Sequence, residues 1–427
     1  LLHLAVFFVA AMLCHGRLAA DRPTAAHLTE FYLWMSVGGV LGGVFNALLA
    51  PLLFNSVIEY PVTLVLACAV WLAPLAGEDA KRPAWTWFDW LGPVLLGGLT
   101  AGLMWLVGAS RFRADATIAG LMFGLPALIC YFFSRRPLRF ALGVSALLVA
   151  GSFYQGQRGQ LLYVERTFFG VHRVTLDPTG QYHLLVHGKT LHGMESLDPG
   201  RRDEPLTYYH RTGPIGQVLE LYGQEASKKI GAIGLGAGSL ASYAKPGQSW
   251  TYFEIDPVVL KLARDERFFT FLRDSPANLR VVLGDARLSL AREPNGAFDV
   301  LVVDAYSSDS IPVHLVTREA LALYLQKLAP GGLLAFHISN WHLDLEPVFA
   351  NLAHDAGLDC LVRDDTAVPP ELLALGKSPS VWLVMSRRPD ELLALTRDPR
   401  WRPGQGNDEQ KVWTDDYSSL LSVFRWR

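Results

Sequence analysis

Only 16 of the 78 charged residues fall among the first 154 positions of this 427-residue chain, and that imbalance limits what it can fold into. A stretch so poor in charge cannot present a polar face to water on every side. Its apolar runs have the length that a bilayer demands of a helix, about 20 residues. Six such runs can be drawn, over 1–16, 31–54, 57–76, 88–109, 115–133 and 138–154. Residues 1–154 are therefore expected to form a multi-pass α-helical membrane region of about six spans. The chain begins at Leu1, inside an apolar run, so it is read as the C-terminal piece of a longer protein and six as a lower bound.

Details within this region fit. Trp85, Trp87 and Trp90 gather at one end of a run, as an interfacial aromatic belt does. The stretch Gly38-Gly39-Val40-Leu41-Gly42-Gly43 sets small residues four apart, a spacing that lets helices approach closely. His15, Asn46 and Glu59 are polar residues in or near apolar runs; His15 is expected at a span end and Glu59 in a short loop before Pro61. Loop Lys and Arg residues favour an external soluble part by a small margin, which one missed span would reverse.

The remaining 273 residues carry the composition of an ordinary soluble protein, with a net charge of −4. That balance argues against a nucleic-acid partner. Disorder and a disulfide scaffold are excluded by an overall hydrophobic fraction of 51 % and only four cysteines. Cys14, Cys68 and Cys130 sit in apolar runs and Cys360 stands alone, without metal-ligand spacing, so no metal is expected and a reducing compartment is.

From about residue 158 short strands are predicted at Leu161–Glu165, Val171–Leu176 and Tyr182–Val186, with a turn at Asp177-Pro178-Thr179-Gly180. This small antiparallel β unit (155–225) leads to Tyr208-Tyr209-His210 and a helix near 214–225. Strands and helices then alternate through 226–427. Strands are predicted at Lys229–Ile233, Trp250–Glu254, Leu279–Leu283, Phe298–Val303, through Phe336, and near 359–363 and 380–386. Helices are predicted from Ser239 and over 257–265, 317–328 and 345–356. Such alternation means an α/β, doubly wound, mostly parallel sheet, whose ligands bind beyond the carboxyl ends of the strands.

Four strand ends carry residues of note. After the first comes Gly234-Leu235-Gly236-Ala237-Gly238, where missing side chains let a ligand approach the backbone. Glu254 follows the second, placed to bind ribose hydroxyls; Asp285 follows the third, placed to accept from an exocyclic amine such as that of adenine. Asp304 follows the fourth. Asp256, before Pro257, is read as a helix N-cap. Together these indicate an adenosine-containing cofactor, and the order of glycine loop, Glu and Gly-Asp resembles the S-adenosylmethionine-type Rossmann fold.

Residues from about 158 to 420 resemble the spermidine synthase (polyamine aminopropyltransferase) family. The resemblance lies in IGLGAG (233–238), FEIDP (253–257), GDAR (284–287) and VVDAYSSDSIPVHLVT (302–317). HLTEFYLWMSVGGVLGGVFNALLAPLLF (27–54) is similar to the membrane part of fused transporter-like/spermidine synthase proteins. The resemblance implies attack of a polyamine such as putrescine on decarboxylated S-adenosylmethionine, with release of methylthioadenosine. It implies Asp304 as general base, cofactor contacts at Gly234, Gly236, Gly238, Glu254 and Asp285, and an amine site of Tyr209, His210 and Asp309. A bacterial inner-membrane protein with a cytoplasmic catalytic domain follows from a cytosolic cofactor; a homodimer is left open.

The chain departs from the family pattern at three places. Ala237 stands where the family's loop has an Asp that helps bind the cofactor's amine. The acidic pair around the base is stretched to Asp304-Ala305-Tyr306-Ser307-Ser308-Asp309. His187-Gly188 replaces an Asp-Gly. Two other readings therefore stay open: a methyltransferase using intact S-adenosylmethionine, and a non-catalytic sensor or transporter of polyamine or nucleoside. The polar-aromatic stretch Trp413-Thr414-Asp415-Asp416-Tyr417 is expected to cap a helix or to close over the site.

Overall fold

A computed structural model describes residues 2–70, 85–109, 118, 120–153, 159–188, 190–305 and 310–425. They divide into two units, Leu1–Gln157 and Arg158–Arg427.

The first unit is helical. Its long apolar helices, His3–Ala20, Ala25–Leu53 and Phe88–Val107, are long and apolar enough to cross a membrane; Glu59–Val70, Gly120–Arg135 and Pro137–Ser152 are apolar but shorter. The runs expected over 57–76 and 115–133 extend into 71–84 and 110–117, outside the described residues. Gly38, Gly39, Gly42 and Gly43 meet no described atom within 4 Å of a built Cβ, so the expected close approach is not made there. It is made at Gly97, where a Cβ would lie 3.3 Å from the Ala146 Cβ, and at Gly143, packed on Cys130 and Phe133. Glu59 is not in a loop: it opens the helix Glu59–Val70 and is buried. The buried Asp89 carboxylate binds Arg136 at 3.2 Å and Arg139 at 2.7 Å, tying together the starts of two helices.

The second unit begins with an antiparallel meander of β1 (Gln160–Thr167), β2 (Gly170–Leu176), β3 (Tyr182–His187) and β4 (Thr190–Ser196). Asp177 shapes the turn between β2 and β3 by accepting from the backbone of Thr179, Gln181 and Tyr182. In the pairing of β3 with β4, Leu185 faces Gly193 and Val186 faces Leu191. His192 is thus an extra residue in a β-bulge, a device that re-aims a side chain.

An eight-stranded sheet follows, made of β5 (Lys229–Ile233), β6 (Ser249–Glu254), β7 (Asn278–Leu283), β8 (Phe298–Val303), β9 (Leu328–His337), β10 (Asp359–Asp365), β11 (Ser380–Ser386) and β12 (Trp401–Pro403). Its order is β12-β10-β11-β9-β8-β5-β6-β7. Strands β9, β8, β5, β6 and β7 run parallel; β10, β11 and β12 join antiparallel. Alternate residues feed two cores: Val300 and Val302 pack on one face with Trp250 and Trp382, Leu301 and Val303 on the other with Phe253 and Phe336. The result is an α/β, Rossmann-like sheet. Two details differ from expectation. Ser239–Tyr243 is a short 3-10 turn rather than the start of a longer helix, and Pro330-Gly331-Gly332 falls within β9.

Candidate active site

The chain order reverses at β5: β6 and β7 lie to one side, β8 and β9 to the other. Such a switch point opens a crevice at the carboxyl ends of the strands. A cavity of about 300 Å3 lies there, lined by Gly234, Gly236, Glu254, Asp256, Asp285, Asp304, Tyr208 and Tyr209, with His172, His187 and His192 from the meander and His314 beyond β8. Gly234 (φ +98°) touches the end of β8, since a Cβ would collide with the Asp304 carbonyl oxygen; at Gly236 (φ +54°) a Cβ would lie 2.7 Å from that of His192. Gly238 also has positive φ but does not line the cavity.

Glu254, at the end of β6, accepts from the backbone N–H of Leu235 (3.0 Å) and of Asp256 (2.9 Å), bracing the glycine loop. Burial raises its pKa, and those amides oppose the rise. Asp285 caps the helix Ala286–Ala291 through Leu288 N–H (2.8 Å), while its other oxygen lies 3.1 Å from His314 Nε2. Asp256 is the N-cap expected, accepting from Val258 N–H at 2.8 Å. It also holds His172 Nε2 (2.7 Å) and the Thr167 hydroxyl (2.6 Å), which fastens the meander to the large sheet.

Asp304 is buried. Its Oδ2 accepts from the Tyr209 hydroxyl and its Oδ1 lies 2.7 Å from His337 Nδ1. Burial by itself raises the carboxyl pKa, but the neighbouring His337 imidazole and the two hydrogen bonds outweigh it, and the group lies below its ordinary value. Tyr209 is pushed the other way, by burial and then by the Asp304 charge. The tyrosine pair enters the cavity from Thr207, which is fully buried with φ +60°, a costly conformation for a β-branched residue. Hydrogen bonds from Thr207 N–H to Gly376 O (2.7 Å) and from Ser378 N–H to Thr207 O (3.0 Å) hold it.

Not every expected site residue meets here. His210 does not line the cavity; its Nδ1 accepts from Thr212 N–H at 3.2 Å in a local turn. Asp309, like Tyr306, Ser307 and Ser308, lies outside the described residues. Asp415 caps no helix of its own: it pairs with Arg287 (2.7 Å) and the Thr317 hydroxyl (2.8 Å), and the 413–417 stretch does not line the cavity.

The sequence reading missed the histidines. His337 ends β9 directly beside Asp304, because Val303 and Phe336 are register partners. His192 is turned in by the bulge, and its buried Nε2 has no hydrogen-bond partner among the described residues. Burial lowers the pKa of His187 and of His192 to about 4, so both are neutral at pH 7. The available signal was a histidine closing the apolar run Leu333-Leu334-Ala335-Phe336-His337. Among the described residues no cluster fit for a metal ion is found.

Ala237 also receives a physical explanation. It is 1 % exposed, and Gly193 lies so close that a Cβ on Gly193 would collide with the Ala237 Cβ. A longer side chain at 237 has no room beside this bulged strand.

No family model matches the chain. A polyamine aminopropyltransferase of Vibrio vulnificus (strain CMCP6) is 38 % identical over 112 residues, 25 % of this chain and 36 % of that protein. A probable polyamine aminopropyl transferase of Bifidobacterium longum (strain NCC 2705) is 31 % identical over 159 residues, 36 % of this chain and 33 % of that protein. The chain thus spans about a third of the length of the curated relatives it matches. A crystal structure of a probable spermidine synthase from Corynebacterium glutamicum ATCC 13032 is 18 % identical with a TM-score of 0.45, covering 62 % of this chain and 98 % of that one. On the curated relatives, the chain resembles the spermidine synthase family.

Proposed function

We propose that the C-terminal unit is an aminopropyltransferase of polyamine biosynthesis, moving the propylamine group of decarboxylated S-adenosylmethionine to a polyamine such as putrescine. The observation that carries this reading is Asp304, a buried carboxylate kept ionised at the end of β8 in the cavity shared by the glycine loop and Glu254. A polyamine is an ammonium ion in water and must lose a proton before its nitrogen can attack. Asp304 Oδ2 takes that proton, with the Tyr209 hydroxyl steadying the carboxylate. The sulfonium supplies the leaving group: the new C–N bond forms as the C–S bond breaks, and the electron pair stays on sulfur in the neutral thioether. Glu254 holds the ribose and Asp285 the adenine, with Gly234 and Gly236 leaving space for the nucleoside; Gly238 shapes the loop. Tyr209 lines the amine site.

Charge favours the decarboxylated form. Among the described residues lining the cavity are carboxylates and imidazoles, with His187 and His192 neutral at pH 7, but neither Lys nor Arg. Cationic substrates suit such walls, whereas the carboxylate of intact S-adenosylmethionine meets no counter-charge there. We further propose that residues 1–154 anchor the enzyme in a bacterial inner membrane, with the catalytic unit on the cytoplasmic side where its co-substrate is made. The three long apolar helices support this.

The test offers the detergent-solubilised chain either form of the cofactor together with putrescine, spermidine and cadaverine, and identifies products by mass. Methylthioadenosine with a propylamine-extended amine is the expected result. S-adenosylhomocysteine identifies a methyltransferase instead, and binding without turnover a sensor or transporter.

A further inference from the structure

We infer that His337 is the positioning residue of the base: it fixes Asp304 Oδ1 so that Oδ2 alone faces the amine, an inference that rests on the aminopropyl-transfer reading above. The imidazole is held on every side. Its ring stacks on Tyr208 at 4.4 Å (22° between planes) and on Trp382 at 4.8 Å (26°), so it cannot tilt. Only its two edge nitrogens are left to bond. Nδ1 lies 2.7 Å from Asp304 Oδ1, and Nε2 lies 2.7 Å from Ser339 Oγ. A carboxylate only accepts, so Nδ1 carries the hydrogen and donates. Ser339 Oγ accepts from Val381 N–H at 2.8 Å; of the two acceptors in reach of its own hydrogen, His337 Nε2 at 2.7 Å and Val381 O at 3.5 Å, the nearer Nε2 takes it. Backbone, hydroxyl, imidazole and carboxylate thus form one directed chain ending at the base. The tautomer of His337 is set from behind by β11, to which Val381 belongs.

The chemistry needs such a device. The Asp304 side chain is only 6 % exposed, and there an unfixed carboxylate would rotate or take up a proton from any source. Its Oδ2 bonds the Tyr209 hydroxyl and still has lone-pair capacity for one more hydrogen. With Oδ1 engaged by His337, the proton leaving the attacking ammonium has one destination, Asp304 Oδ2. It is released to water after methylthioadenosine departs. His337 itself touches no reacting atom in this scheme.

A double-mutant cycle tests the inference in the full-length chain, read as kcat and as KM for decarboxylated S-adenosylmethionine. His337→Leu should lower kcat about a hundredfold while KM stays within about threefold, and His337→Asn, which restores a donor near the Nδ1 position, should recover at least tenfold. In the Asp304→Asn background, His337→Leu should cost almost nothing further, because a residue acting only through Asp304 has nothing left to position. Methylthioadenosine binding within about threefold of wild type shows that each variant is folded. Equal losses in the two backgrounds, or an unchanged kcat in His337→Leu, would overturn the inference while leaving the proposed function standing. A variant that no longer binds methylthioadenosine, with His337→Asn no better, would assign His337 to the packing of the sheet and overturn it too. Absence of aminopropyl transfer by the wild-type chain removes the reading and the inference with it.

Discussion

Each of the two units buries a carboxylate, and the two are treated in opposite ways. Asp89, in the helical unit, is held by Arg136 and Arg139 and by the Thr86 N–H and hydroxyl. Asp304, in the α/β unit, is held by a tyrosine hydroxyl and the edge of a histidine, beside a cavity. Two guanidinium groups neutralise the first and occupy it fully, so it can serve as a joint between helices. The second has neither a Lys nor an Arg partner among the described residues and faces a cavity, which suits the proposed base. The surroundings differ in the same sense. Phe7, Trp34, Leu52 and Trp105 of the first unit point outward while Asp89 pairs with Arg136 and Arg139 inside; in the second, large apolar side chains fill both faces of the sheet. The helical unit turns apolar side chains outward, as the proposed membrane anchor requires, and the α/β unit turns them inward, so each sets its buried carboxylate in a different surrounding.

Substitution should separate these roles. The largest effect is expected at Asp304→Asn: turnover falls about a thousandfold, roughly 4 kcal/mol of barrier, while methylthioadenosine binding stays within a few-fold by calorimetry. An unchanged rate would mean that Asp304 is not the base. Next comes Asp89→Ala, which strands two arginines. The helical unit should lose about 3 kcal/mol in detergent, followed as loss of helical signal on heating, with kcat per folded molecule unchanged. A fall in kcat would show that the two carboxylates are coupled after all. Ala237→Asp should destabilise the α/β unit by about 2 kcal/mol in denaturant titration, since the added carboxylate is forced against Gly193 without a partner. Stability at or above wild type would refute the packing explanation of this departure. Glu254→Gln should raise KM for the nucleoside co-substrate about tenfold with kcat nearly kept, because a single amide oxygen cannot serve both loop amides as the carboxylate does.

The mildest effect concerns pH. In the unfolded chain His187 and His192 titrate near 6.5, in the folded chain at about 4. As pH falls through that window the unfolded state binds more protons, so the stability these two groups contribute is full above about pH 6.5 and is lost toward pH 4. His192→Asn should flatten that slope in melting curves collected across the range; an unaltered slope would place the histidine in an environment like water.

Much of this molecule was legible in one dimension. The helical character of the first unit announces itself by its scarcity of charge, and three of its helices are long and apolar enough to cross a membrane. Strands β5, β6 and β8 follow from short apolar runs closed by glycine or acid, and the strand-end rule brings Gly234, Glu254, Asp285 and Asp304 to one edge. Asp256 was readable as a cap because Pro257 follows it. Strands β4 and β12 were not readable: one is interrupted by a bulge and the other is three residues long, so neither shows a clean period of two.

Local pattern determined which residues turn, which run extended and which acids stand at strand ends, since those depend on neighbours a few positions away. The tertiary structure alone decided what those acids meet. His337 reaches Asp304 only because β9 lies beside β8 in one register, and His192 faces the cavity only because one extra residue twists β4. Tyr209 bonds Asp304 from a turn in which residues 376–378 hold Thr207 at positive φ. Contacts across tens or hundreds of residues depend on how the sheet closes, and no short window of sequence contains that information.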